Sequence, residues 1–287
     1  MQRSRRCDLL ARCIHLAYTL APALLIAAPV AMGHPSTSAR LSSLQPRWEA
    51  EVCDAPGALR RGRLHVERRE FQAATAWFDR AVSCDPRLTA VDLARAEAHL
   101  SAGDTTAAIA AATRYLAHQS HDGAARIVRA RAYARAGHWA LAARDYDRGA
   151  AALASPQPDH LLERARAHLA AGDADSARRG LDQAIATIGP AAALIELAVD
   201  LDLAAARYDA ALATLARLHT KQRSSLSWTL RRAEILAAAG RGEEMRRWCS
   251  DSARDAASRS LSHRQSLLLQ QLQRCAAGDR ISQSVRR

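Results

Sequence analysis

The sequence predicts an all-α protein, a superhelical solenoid of antiparallel helix pairs. Three observations carry this. First, a glycine-centred turn recurs at Gly103, Gly137, Gly172 and Gly240, at a spacing of about 34 residues or its double, in the range that marks helical-hairpin arrays. Second, aromatic residues make up only 4% of the 287 residues. Alanine takes their place, which suits helices packed closely through small side chains. Third, basic and acidic residues alternate along most helical segments rather than gathering in one block, as on solvated helix faces.

The chain starts with Arg3, Arg5, Arg6 and Arg12, followed by an apolar run from Ile14 to Met32 and a small-residue exit at Ala31-Met32-Gly33. This is the layout of a signal peptide over residues 1–33, cleaved before His34. The expected location is therefore outside the cytoplasm, periplasmic or secreted. An uncleaved segment would be the chain's only means of holding a membrane, and Pro22 and Pro29 interrupt it near the lower length limit for spanning. Residues 34–54, rich in serine with Pro35 and Pro46, read as a flexible lead-in.

The first hairpin follows, from about Ala55. Gly62 and His65 lie on its first helix, Phe71, Ala74, Phe78 and Ala81 on its second, and Cys84-Asp85-Pro86 ends it. At these residues the chain resembles the tetratricopeptide repeat family. The resemblance extends over about six repeats in residues 55–256 and implies a right-handed superhelix. Its concave groove, lined by the first helix of each pair, would bind a protein or peptide without catalysis or cofactor.

A small residue on each first helix (Gly62, Ala96, Ala130, Ala165, Ala233) is expected to meet one on the second (Ala74, Ala108, Ala142, Ala177, Ala211), so that the backbones can approach. Phe78, Tyr146, Leu181 and Leu215 fill the space beside them. In the second unit, Gly103 can take the left-handed conformation that ends a helix and Asp104 can cap the next one. Gly172-Asp173 repeats the device, whereas Gly137-His138 and Gly240-Arg241 keep only the glycine. An extra residue near Pro156 and Pro158 reads as a local wobble in a continuous array.

The fifth unit departs most. Val199 replaces the small residue, Asp202 stands where His65, His99, Tyr133 and His168 stand, and Ala206 replaces the turn glycine. In the sixth, Met245 and Cys249 replace the usual alanine and bulky residue. Residues 257–277 read as a capping helix that covers the last apolar face, with Leu267, Leu268, Leu269 and Leu272 inward. Residues 278–287 read as a disordered tail.

After cleavage four cysteines remain, Cys53, Cys84, Cys249 and Cys275, and four allow three connectivities. Hairpin geometry sets Cys53 beside Cys84. Cys249 with Cys275 then follows by elimination, although the same geometry places Cys249 nearer to about residue 268.

No P-loop, nucleophile elbow, HExxH or dinucleotide fingerprint occurs. His65, His99 and His168 occupy equivalent places, but neighbouring repeats stand about 10 Å apart, too far to share a metal. His118, Ser120, His121 and Asp122 fall in a turn, where polar residues are expected. The expectation is no enzyme, no metal and no small-molecule substrate. By the resemblance, the partner-facing residues are Arg63, Glu97, Arg131, Arg166, Asp200 and Glu234, with Leu59, Leu93, Ile127 and Leu162 nearby. The Lys/Asn/Arg set with which some members of the family clamp a C-terminal carboxylate is absent.

The formal charge of +12 also fits a nucleic-acid-binding helical array, which export disfavours. A free N-terminal His34 would suit Cu(II), which leaves an accessory role in envelope metal handling as a further alternative.

Overall fold

The computed structural model of the protein describes residues 53–218, 225–258 and 260–278. The expected signal peptide, His34, the lead-in up to residue 52 and the tail from residue 279 lie outside the described residues.

The described residues form thirteen helices and no strand. They pair as α1 (Ala55–Glu67) with α2 (Phe71–Cys84), α3 (Ala90–Ala102) with α4 (Thr105–His118), and α5 (Gly123–Arg135) with α6 (Trp139–Ala152). Next come α7 (Pro158–Ala170) with α8 (Ala174–Ile188), α9 (Ala192–Ala204) with α10 (Tyr208–Ala216), and α11 (Leu226–Ala238) with α12 (Gly242–Ala257). A last helix, α13 (His263–Ala277), packs on α12 and α11. The first helices of successive hairpins also approach one another directly, α1 with α3, α3 with α5, and α7 with α9. Ion pairs link the other two steps, Arg131–Glu163 between α5 and α7 and Arg231–Asp200 between α9 and α11, so the first helices line up as one wall of the stack.

Local chemistry starts and stops these helices. Asp54, Asp104, Asp122 and Asp173 each accept a backbone N–H three residues on, at 2.8, 3.0, 3.0 and 2.9 Å, which satisfies one of the orphan donors at a helix start. Gly103, Gly137, Gly172 and Gly240 have φ of +88°, +78°, +84° and +71°, the left-handed turn that glycine adopts without a side-chain clash. Arg69 and Ala206 hold the same conformation at φ +61° and +54°, so the hairpin geometry is kept even where the favoured residue is missing.

Packing between paired helices runs through small residues. Ala74, Ala96, Ala108, Ala130, Ala142, Ala165, Ala177, Ala211 and Ala233 are all buried. At Gly62 the contact is with the neighbouring Phe78 ring, and there is no room for a methyl group. Gly123 and Gly149 form a second close crossing, between α5 and α6, where a Cβ on Gly123 would fall 2.8 Å from the Gly149 carbonyl oxygen. The apolar core is continuous across Pro156 and Pro158, because Ala150 of α6 shares a cluster with Leu161 and Ala165 of α7.

Two expectations are corrected at the C-terminal end. Leu267 does not face inward; it is 47% exposed, whereas Leu272 is buried and Leu268 and Leu269 are partly buried against the core. With about 100° per residue, Leu268, Leu272 and Cys275 share one stripe and Leu267 falls to its side. Cys249 does not meet the region of residue 268 either. It lies against Cys275 with Cα atoms 5.9 Å apart; α12 ends at Ala257 and α13 starts only at His263, which carries the facing position further along α13 than a tight turn would. At the other end Cys53 lies against Cys84, with Cα atoms 5.2 Å apart.

Candidate functional site

The wall of first helices receives one side chain at the same repeat position from each hairpin: Arg63 from α1, Glu97 from α3, Arg131 from α5, Arg166 from α7, Asp200 from α9 and Glu234 from α11. Arg63, Glu97 and Arg166 are exposed; Arg131, Asp200 and Glu234 are half-buried.

Much of this charge is neutralised within the wall. The Arg131 Nε donates to both carboxylate oxygens of Glu163 on α7, at 3.2 and 2.9 Å. Tyr146 lies buried beside that pair, and burial first, then the Glu163 charge, pushes its hydroxyl pKa well above the ordinary range. Arg231 of α11 pairs with Asp200 of α9 and, at 2.7 Å, with Glu234 on its own helix. Three of the six wall residues, Arg131, Asp200 and Glu234, are therefore held in ion pairs, the first two across repeats.

Glu97 and Arg166 are different. Glu97 is open to solvent yet enclosed by surrounding protein, and the resulting desolvation holds its carboxyl above the usual range; Arg63 opposes this and Asp122 adds to it. It makes no hydrogen bond or close ion pair with the described residues. Asp122 is occupied, since it caps α5 and accepts a 2.7 Å hydrogen bond from the Tyr115 hydroxyl. Burial, that bond and the Asp122 charge push Tyr115 to a pKa of about 12, against the opposing pull of Arg63. Arg166 has neither hydrogen bond nor ion pair among the described residues.

Sequence reading missed a second column. Arg61, Arg95, Arg129, Arg164 and Arg232 recur at one repeat position, and all are engaged within the stack. The Arg61 and Arg232 guanidinium carbons lie 4.9 and 4.5 Å from the ring centroids of Trp77 and Trp248, and such cation–π stacking is favoured by partial desolvation. Arg95 pairs with Asp79, Arg129 with buried Asp145 at 2.6 and 3.0 Å, and Arg164 with Asp147 at 2.6 Å. Their period of about 34 residues was the available signal. Asp202, which stands at the position of the other units' His and Tyr residues, has a role that the pattern did not indicate. It is buried and held by Arg178 from α8 and Arg207 from the turn, both at 3.0 Å.

The equivalent histidines pair with acids rather than with one another. His65 meets Glu70 at 2.6 Å, His99 meets Asp104 at 3.8 Å, and His168 lies 3.1 Å from Asp147 and 3.7 Å from Asp173. Among the described residues no group of three or more His, Cys, Asp and Glu side chains could hold a metal ion.

Residues 93–158 match the model of the family described as tetratricopeptide repeat. No curated protein matches the chain in sequence. Among solved structures, a tetratricopeptide repeat protein from Parabacteroides merdae ATCC 43184 is similar over 84% of this chain and 92% of its own length, with 15% identity and a TM-score of 0.50. A chain of Naa15/Naa10 bound to HypK-THB is similar over 82% of this chain and 37% of its own, with 15% identity and a TM-score of 0.52. At such identities the likeness is one of fold.

Proposed function

We propose that this chain, built of tetratricopeptide-like repeats, is an exported, non-catalytic scaffold that binds a protein or peptide segment along the wall of its first helices. The observation that carries the reading is the wall itself. Six hairpins each deliver one side chain at the same repeat position, and Arg166 stands there exposed and without a partner among the described residues. Repeat stacking produces extended surfaces of this kind, and an extended segment can follow them with side-chain contacts at regular intervals. Arg166 would meet an acidic group directly, with Arg63 supporting; Arg131 would contribute only by exchanging Glu163 for a ligand carboxylate.

Export rests on the basic start, the apolar run and the Ala31-Met32-Gly33 exit. In an oxidising compartment the two cysteine pairs would be closed as disulfides. The nucleic-acid alternative is weakened by the column of engaged arginines, because charge spent inside the hairpin joints offers little to a phosphate backbone.

Affinity capture from a cell-envelope extract, with the wild-type chain and with Arg166→Glu and Arg63→Glu/Arg166→Glu variants, tests the reading. The expected result is a partner held by the wild type and lost from the folded variants. Equal recovery by a variant with an unchanged circular dichroism spectrum overturns it. Intact mass of the mature chain reports the cleavage point and the number of disulfides together.

A further inference from the structure

We infer that the segment held by this wall carries a basic side chain and an acidic side chain about six residues apart in extended conformation, the first seated on Glu97 and the second on Arg166. This rests on the scaffold reading above and names the chemistry of its ligand.

The inference follows from which wall charges are already satisfied. Arg131 is closed by Glu163, and Asp200 and Glu234 share Arg231. Arg63 exerts its pull on Glu97 without reaching ion-pair distance. Apart from Arg63, which is exposed on α1 and faces Glu97 without pairing to it, what is left is one anion on α3 and one cation on α7, separated by the neutralised position on α5. A carboxylate surrounded by protein but still reachable gains more from an arriving cation than one in open water, since the local dielectric is lower. The same desolvation holds the Glu97 carboxyl above the usual range. Arg166 supplies a planar fork of donors suited to a carboxylate.

Spacing sets the register. Packed helices stand about 10 Å apart; α3 packs on α5 directly and α5 is bridged to α7 by the Arg131–Glu163 pair, so two repeats separate the subsites by at least roughly 20 Å. An extended chain rises about 3.3 Å per residue and covers this in about six residues; an α-helix would need about thirteen. The bound segment is thus expected to run along the wall with one charge at each end of the span.

The test is selection from a random 16-residue peptide library displayed on phage, against the mature chain and against the charge-swapped variant Glu97→Arg/Arg166→Glu, with folding checked by thermal melting. Peptides enriched on the wild type should share a basic and an acidic residue about six positions apart, and those enriched on the swapped variant should carry the signs in the opposite order. A representative peptide should bind at least about tenfold more weakly to Arg166→Glu, as expected for losing one charge-assisted contact. Enriched peptides that protect the wall from hydrogen exchange but show no such pair, show a spacing near thirteen, or ignore the swap would overturn this inference and leave the scaffold reading standing. No enrichment, or protection confined to another face, would overturn both.

Discussion

The backbone of Gly62 lies against the face of Phe78 so closely that a Cβ there would fall 2.3 Å from Phe78 Cε1 and 2.6 Å from Cδ1. Phe78 is itself 1% exposed and has nowhere to retreat. Gly62→Ala should therefore destabilise the first hairpin by about 1–3 kcal/mol, the usual cost of overpacking. Urea unfolding measures it, and a Gly62→Ala/Phe78→Leu double variant should recover part of the loss. Additive losses would show that the two residues do not compete for the same space.

Asp202 is the most deeply buried acid among the described residues, at 1% exposure, and Arg178 and Arg207 both bind it. Asp202→Ala leaves the Arg178 guanidinium with only the Asp182 carboxylate at 2.6 Å and the Thr214 hydroxyl at 2.9 Å, and the cost should be about 1.5–3 kcal/mol, that of losing a charged hydrogen-bond partner. The apolar pair Arg178→Met/Asp202→Leu should cost much less, since no charge is stranded. Thermal melts of both variants separate burial cost from pairing.

Ala206 turns the fifth hairpin at φ +54°, where four other hairpins use glycine. A left-handed alanine carries a penalty of roughly 1 kcal/mol. Ala206→Gly should raise the melting temperature, and Gly103→Ala should lower it. Nothing lies within 4 Å of a Cβ on Gly103, so its loss would be purely conformational.

Glu97 gives a pH signature. Its carboxyl pKa is raised in the folded state, so the folded chain binds the proton more tightly than the unfolded chain does. Stability must then fall as pH rises from the ordinary carboxylate range through the folded value, and the penalty is complete above it. Glu97→Gln should be more stable than the wild type near neutrality and equal to it at acidic pH below the ordinary value. Arg63→Ala should widen the difference. Denaturation midpoints across this range decide the matter, and a gain that persists at the acid end would refute the assignment.

Apart from Cys7 and Cys13 near the N-terminus, the cysteines pair at the first hairpin and at the last hairpin and its closing helix, and none lies between Cys84 and Cys249. Terminal repeats have a neighbour on one side only, so they are the units that open first. Cys53→Ser/Cys84→Ser and Cys249→Ser/Cys275→Ser should each lower stability by about 2–4 kcal/mol. Hydrogen exchange should rise in α1 and α2 for the first variant, and in α12 and α13 for the second, while α5 to α8 stay protected.

Reading the sequence reached the parts of this protein that repeat locally. The glycine turns at 103, 137, 172 and 240, the caps at Asp104 and Asp173 and the buried alanine seams follow from chemistry within one hairpin, and a period of about 34 residues displays each several times. Leu267 was misplaced because four closely spaced leucines leave the orientation of a helix open; only contact with α11 and α12 chose the stripe.

The wall shows the boundary between the two sources most clearly. That Arg63, Glu97, Arg131, Arg166, Asp200 and Glu234 share one repeat position is contained in their spacing. Which of them remain open to a ligand is not, because Arg131 is closed by Glu163 from the next hairpin, and Asp200 by Arg231, also from the next hairpin. Helical periodicity acts within a turn or two and is written in the order of residues. Ion pairs across repeats depend on side chains about 30 positions apart in sequence, and only the stacking of hairpins brings them within reach.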